Sequence, residues 1–310
     1  TTNREWLDMF YEAQYNDAAA LTGLTDPDAI KQKINWWIFN SDWFSGPTAD
    51  ANDIDPDTGQ LRVYKGESLF NALREGKTLT LNINQYVHRY APDTYIMDYL
   101  YGQATSQKHN LSISGADAKF GYRLSLGYEN AKSQLKPAYD GQKKWSARFN
   151  GDYQATDRLK LQTNISFEKR SVQSPSTDVG AGSYDPWLWP VYNQYGQPYD
   201  TFSGQRNPIG GLTEGGTAKW QLSTLRASLR GDYDLGFITK GLSVNGTAAF
   251  KRVEKNVSTT KLPIKYYDWV GTQYGQTRNA PGSMSETVDR CDNLSVEALV
   301  NYNRTFVEKH

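Results

Sequence analysis

The chain has 310 residues, with 34 Lys+Arg balanced by 34 Asp+Glu, 3 His and 1 Cys, and an aromatic share of 13% built from 21 Tyr, 11 Phe and 9 Trp. Zero formal charge and a pI near 6.8 argue against a nucleic-acid binder, which carries a basic excess to neutralise phosphates. No run approaches the ~20 apolar residues of a membrane helix, and the lone Cys291 excludes an internal disulfide; a mean hydropathy of -0.71 leaves open a transmembrane barrel, whose strands are polar at every second residue.

The opening Thr1-Thr2-Asn3-Arg4 has neither the basic segment nor the apolar stretch of an export signal, so the expectation is a signal already removed or a piece of a longer chain. Trp6, Leu7, Phe10, Tyr11, Ala13 and Ala18 fall near helical spacing, with Asn3 as the expected cap. A second helix is predicted from Asp26-Pro27-Asp28, where Pro suits the first turn, through Ile30 and Ile34 to Trp37. Trp36, Trp37, Phe39, Trp43 and Phe44 form an aromatic cluster read first as packing. Residues 60–64 and 78–90, with Leu79, Leu81 and Ile83 against Thr80, Asn82 and Asn84, would add one or two strands. Residues 1–105 are thus expected to be an early barrel region with irregular, Trp-rich extracellular loops and short helices, and 106–310 a run of regular transmembrane β-hairpins of the barrel.

From about residue 106 the period becomes two. Phe120, Tyr122, Leu124, Leu126 and Tyr128 alternate with Gly121, Arg123, Ser125, Gly127 and Glu129, so one face is apolar and the other polar. The same alternation runs through Trp145 to Gln154, Leu159 to Glu168, Leu225 to Tyr233, Leu242 to Lys251 and Leu294 to Asn303, with a further strand at Lys108 to Gly115. These strands reach about ten residues, as a tilted membrane strand requires (~9–11), whereas globular strands cluster at ~5–6. Short turns at 116–118, 156–157 and 236–241 alternate with long loops at about 132–143, 172–220 and 258–290, the asymmetry of an outer-membrane barrel with periplasmic turns and extracellular loops. Aromatics gather toward strand ends, as interfacial girdles do. The expected fold class is all-β, part of a large antiparallel transmembrane β-barrel. A soluble or surface β-sandwich that binds carbohydrate is the alternative, and a non-transporting outer-membrane barrel the second.

The stretch Gln107-Lys108-His109-Asn110-Leu111-Ser112-Ile113-Ser114-Gly115, followed by Tyr122-Arg123-Leu124-Ser125-Leu126-Gly127-Tyr128, resembles the "HNLSVSGG…Y…SLGY" hallmark of SusC/RagA-type TonB-dependent outer-membrane receptors of Bacteroidetes. Asp157-Arg158-Leu159-Lys160-Leu161 is similar to the next hairpin of that family, Asn207-Pro208 to its loop pattern, and Tyr302-Asn303-Arg304-Thr305-Phe306 to its strand end. Ala116 departs from the second hallmark glycine, and Thr94-Tyr95 from an acidic-Trp pair. The resemblance implies a barrel of about 22 strands, import of glycans or peptides, a SusD-like surface lipoprotein as lid, and TonB as energy source. It also implies that the plug domain, the TonB-binding box and the C-terminal strands lie outside this chain.

Candidate contacts with substrate or lid are Tyr184, Asp185, Trp187, Trp189, Tyr192, Tyr195 and Tyr199 in one long loop and Tyr266, Tyr267 and Trp269 in the next. Flat aromatic faces stack on sugar rings, and nearby Pro186, Pro190 and Pro198 stiffen the first loop. Ligand contact, lid contact and self-packing are all open for these rings. Asp53, Asp55 and Asp57 alternate as calcium ligands do, although Pro56 and Thr58 break the EF-hand order, so calcium stands beside a plain acidic turn. No HExxH, GxSxG or phosphate-binding loop occurs, and no enzyme is expected.

Overall fold

The computed structural model describes residues 2–40, 46–177, 188–200 and 207–305. Helices α1 (Asn3–Thr22), α2 (Pro27–Lys31) and α3 (Trp37–Asn40) precede β1 (Gly46–Pro47), β2 (Val63–Tyr64), α4 (Glu67–Arg74), β3 (Leu79–Ile83), β4 (Tyr86–Tyr90) and α5 (Ile96–Leu100). Four long strands follow, β5 (Thr105–Ala116), β6 (Phe120–Lys132), β7 (Gly141–Gln154) and β8 (Leu159–Pro175). Then come α6 (Pro208–Glu214), β9 (Gly216–Asp234), β10 (Leu242–Lys261), the short β11 (Ile264–Tyr267) and β12 (Gln273–Arg278), and β13 (Ser283–Tyr302). The chain forms two compact units: one of Thr1–Gly102, Pro175–Gly216 and Lys261–Ser283, the other of Gln103–Ser174, Thr217–Thr260 and Met284–His310. The two long loops 175–216 and 261–283 therefore fold with the N-terminal residues.

In the first unit α1 starts at a capping box. The Thr2 hydroxyl accepts from the Glu5 N–H at 3.2 Å while the Glu5 carboxylate accepts from the Thr2 N–H at 2.7 Å. Asn3 is therefore not the cap; its side chain donates to the carbonyls of Pro92 and Thr94 at 3.0 and 2.6 Å and ties α1 to the segment before α5. The second predicted helix is broken in two, because Asn35 Oδ1 accepts from the Trp37 N–H at 3.1 Å and restarts the chain as α3. Phe70 of α4, fully buried, gathers Phe10, Tyr11, Trp36 and Phe39 within 5.0–6.1 Å between ring centroids, which bears out packing for Trp36 and Phe39; Trp43 and Phe44 lie outside the described residues. Strands β3 and β4 make a five-pair hairpin turned at Asn84 (φ 57), and β1 pairs with β2. None of these joins the large sheet, so the expected extra strands at 60–64 and 78–90 are corrected: they are short and bury Tyr64, Leu79, Leu81, Ile83 and Tyr90 within the first unit.

The second unit is a seven-stranded sheet in the order β13-β10-β9-β8-β7-β6-β5. Neighbours in space follow one another in the sheet's chain order, and the β5–β8 pairings are antiparallel. Its strands run from 12 to 20 residues. Register aligns Ile113, Leu124, Phe149 and Ile165 across four strands, and next to them Leu111, Leu126, Ala147 and Phe167. Gly115 faces Tyr122, whose ring lies 2.9 Å from where a Cβ would stand, so a side chain there would displace the ring. Among the described residues, every buried apolar side chain belongs to the first unit. In the second, Leu111, Leu126, Trp145 and Phe167 are 67%, 46%, 56% and 42% exposed.

Candidate functional site

Three short segments of the first unit build the region that holds the candidate aromatics. Asp268, fully buried, organises it: Oδ2 accepts from the Val87 N–H at 2.9 Å, and Oδ1 from the N–H groups of Val270 and Thr272 at 3.1 and 2.7 Å. The Trp269 N–H donates to the Val87 carbonyl at 3.0 Å, so one carboxylate and one amide fasten the β11–β12 turn to β4. Asn193 shapes the 193–197 turn. Its Oδ1 accepts from the N–H groups of Tyr195 and Gln197, both at 3.0 Å, and its Nδ2 reaches the Asp268 carbonyl at 3.0 Å. Gly196 at φ 75 takes the left-handed position that this turn requires.

Asn207 performs the third fastening. Its Nδ2 donates to the carbonyls of Val191 and Tyr199 at 2.7 and 2.6 Å, its Oδ1 caps α6 through the Ile209 N–H at 2.9 Å, and Pro208 fills the first helical position. Replacing Asn207 by Ala removes two buried side-chain bonds and the α6 cap, although the Val191 carbonyl keeps the Tyr199 N–H at 3.2 Å, so Asn207→Ala is expected to destabilise the protein by about 2 kcal/mol, read from its urea midpoint.

The rings divide by burial. Trp189, Tyr199 and Tyr266 are 6%, 1% and 3% exposed, so in this conformation they fill the core and offer no face for stacking. The Tyr199 hydroxyl accepts from the Arg89 N–H at 2.7 Å and donates to the Arg89 carbonyl at 3.3 Å; Tyr266 donates to the Asn207 carbonyl at 3.0 Å, and burial raises its pKa to about 12. Tyr267 is half-buried and exchanges backbone bonds with Pro198 and Asp200. Trp269 lies under the Arg89 guanidinium, 4.8 Å from the ring centroid, and burial lowers the Arg89 pKa. Tyr192 and Tyr195 present rings to solvent at 36% and 65% exposure. Tyr99 of α5, which sequence reasoning passed over, stands 6.4 Å from Tyr192 at 59° between ring planes. Glu214 and Tyr192 both have pKa values raised by burial. Tyr184, Asp185 and Trp187 lie outside the described residues.

His88 of β4 is 3% exposed, and burial lowers its pKa from 6.5 to about 4. A depressed folded-state pKa means that the unfolded chain binds more protons between pH 4 and 6.5. The stabilisation by neutral His88 is complete above pH 6.5 and is lost as pH falls toward 4. Unfolding free energy is expected to drop by about 2 kcal/mol from pH 7.5 to 5.0, a drop that His88→Gln should remove in paired thermal melts.

The three aspartates do not converge. Asp53 accepts from Lys77 Nζ at 3.0 Å and Tyr64 Oη at 2.9 Å and lies 3.4 Å from Arg62 Nε, while Asp55 Oδ1 accepts from the N–H groups of Asp57 and Thr58 at 2.9 and 3.1 Å. Those two turn bonds lower the Asp55 pKa. No group of three acidic, His or Cys side chains among the described residues is disposed to hold a metal ion.

On the polar face of the large sheet, Arg123, Arg148 and Arg226 line a concavity of about 550 Å³ together with Asn110, Asn150 and Glu168. Glu168 pairs with Lys144 at 3.0 Å. This is a polar, hydrogen-bonding surface, opposite in character to the other side of the same strands.

No family model matches the chain, and no curated protein does. Solved structures do show similarity. The outer membrane transporter YddB from Escherichia coli aligns at 11% identity and TM-score 0.35, over 64% of this chain and 25% of its own. The RagAB peptide transporter aligns at 14% identity and TM-score 0.37, over 97% of this chain and 38% of its own. The RagAB peptide importer in the "closed-closed" state aligns at 15% identity and TM-score 0.34, over 76% and 34%. The chain thus spans between a quarter and two fifths of the length of these proteins.

Proposed function

We propose that this chain is a wall segment of a TonB-dependent outer-membrane transporter of SusC/RagA type. It imports glycans or peptides with a SusD-like surface lipoprotein as lid and TonB as energy source. The observation that carries the reading is the apolar face of the seven-stranded sheet. Large side chains such as Leu111, Ile113, Leu126, Trp145, Val296 and Val300 are 46–77% exposed on strands of 12–20 residues. Left in water, each half-exposed side chain forgoes roughly 1 kcal/mol. A sheet bearing well over ten of them would forgo as much as the ~5–15 kcal/mol net stability of an ordinary domain, whereas lipid removes that cost. The opposite face, with its arginines and amides, suits a hydrated lumen, and the exposed Tyr99, Tyr192 and Tyr195 suit ring stacking on a sugar or peptide.

Detergent extraction of the outer membrane followed by affinity purification and intact mass measurement tests the proposal. The expected result is a detergent-dependent assembly containing a surface lipoprotein, and loss of oligosaccharide or oligopeptide uptake when the gene is deleted. Recovery of the chain alone in a detergent-free soluble fraction, with uptake unchanged, would overturn it.

A further inference from the structure

Across β5–β8, the residues on the apolar side include only three with full charges, Lys132, Lys143 and Lys169, and no carboxylate. Lys132 and Lys143 stand at the long-loop ends of β6 and β7, and Lys169 lies in the long-loop half of β8, which runs on to Pro175. Just inside Lys143 runs one register row, His109, Tyr128, Trp145 and Lys169, so that Lys169 stands level with the rings. His109 stacks on Tyr128 at 6.3 Å and 11°, and Tyr128 meets Trp145 at 4.3 Å. Lys143, one row further out, is exposed, as is Lys169, and neither has a carboxylate partner among the described residues. On the other side of the row, Ala147 sits between the larger Leu126 and Phe167, which leaves an apolar groove of about 340 Å³.

We propose that this corner binds a phosphorylated glycolipid of the outer leaflet, with an acyl chain along the Ala147 groove and a phosphate on Lys143 and Lys169. Charge and level both point to that occupant. Amphipathic rings mark headgroup depth, cations level with them at Lys169 and one row above them at Lys143 meet anionic headgroups, and the dent below is apolar and chain-sized. The short-turn end of the same face carries Phe120, Tyr153 and Leu161 and no lysine, so the site belongs to one leaflet. The inference rests on the membrane reading above, in which the long loops lie outside the cell, where the leaflet is built of phosphorylated glycolipid.

The test is native mass spectrometry of the detergent-purified protein titrated with bis-phosphorylated lipid A, dephosphorylated lipid A and phosphatidylglycerol. Wild type should retain bis-phosphorylated lipid A in preference to both others. The Lys143→Gln/Lys169→Gln double variant should bind it about thirtyfold more weakly. Ala147→Leu, which fills the groove and keeps the charge, should also weaken it, with heat-modifiable gel migration unchanged in both. Equal binding by wild type and the double variant, or equal binding of lipid A and phosphatidylglycerol, would overturn the proposal while leaving the membrane reading intact. A protein that stays monodisperse without detergent would remove the membrane reading itself.

Discussion

Replacing Leu124 by Arg should lower stability in a bilayer by roughly 2–4 kcal/mol, whereas Ser125→Arg, one residue along the same strand, should change it by less than about 0.5 kcal/mol. Leu124 lies midway along the apolar band of β6, opposite Ile113 and Phe149, and is 37% exposed. On the proposed membrane reading a guanidinium there meets hydrocarbon, and from mid-band its reach to water is longest. Ser125 points the other way, toward Arg148 and Asn110 in the polar concavity, where a charged side chain stays hydrated. Urea unfolding in phospholipid vesicles measures both. Equal tolerance of the two arginines would mean that the apolar face meets water.

The second large effect belongs to Asp268. Asp268→Ala removes one buried acceptor group and with it the bonds from the N–H groups of Val87, Val270 and Thr272. Hydrogen bonds to a charged group contribute ~1.5–3 kcal/mol each, and water can reach the exposed Val270 and Thr272, so a loss of about 3 kcal/mol is expected. Asp268→Asn, which keeps one carbonyl oxygen in place, should cost about half as much. Limited proteolysis adds a local readout: the 188–200 and 264–278 segments, tied through Asp268 and Asn193, should become cleavable together in Asp268→Ala. An unchanged melting temperature in Asp268→Ala would refute the hub role.

The alternation of β5–β8 was legible because the sheet keeps one face apolar and the other polar residue by residue. Phe120 to Tyr128 read as a strand with two unlike faces, and the register confirms that split. What the pattern did not convey was strand length. β8 runs on from Glu168 to Pro175 and β10 from Lys251 to Lys261, through Lys169-Arg170-Ser171 and Asn256-Val257-Ser258, where the regular apolar alternation lapses. The β10 extension is held instead by cross-strand bonds to β13, Arg252 with Asp292 at 2.7 and 2.9 Å and Asn256 with Glu286 at 2.8 Å. No hydropathy period signals them.

The loop region was legible only by composition. Clustered aromatics marked 188–199 and 266–269 as special, but nothing local distinguished the buried Tyr199 and Tyr266 from the exposed Tyr192 and Tyr195. That distinction arises from contacts 59–110 residues apart, such as Tyr266 to Asn207 and Tyr199 to Arg89. Asn207 did carry a readable signal, since Asn before Pro is a helix-start pattern. Asp268, embedded in Tyr-Tyr-Asp-Trp, carried none, because its three partners are chosen by a turn and by a strand far away in sequence. Tyr99 went unnoticed for a similar reason: only the fold brings α5 beside Tyr192.

The membrane-facing assignment of the large sheet is tested most directly by single-cysteine scanning of residues 120–128 in intact outer membranes, with Cys291 first replaced by Ser. Each cysteine would carry an environment-sensitive probe challenged with lipid-soluble and water-soluble quenchers. Positions 122, 124 and 126 should respond to the lipid-soluble quencher and 123, 125 and 127 to the water-soluble one, a strict period of two. Water-soluble quenching at all six positions, or protection of the even positions from both quenchers, would contradict a sheet whose apolar face lies against lipid.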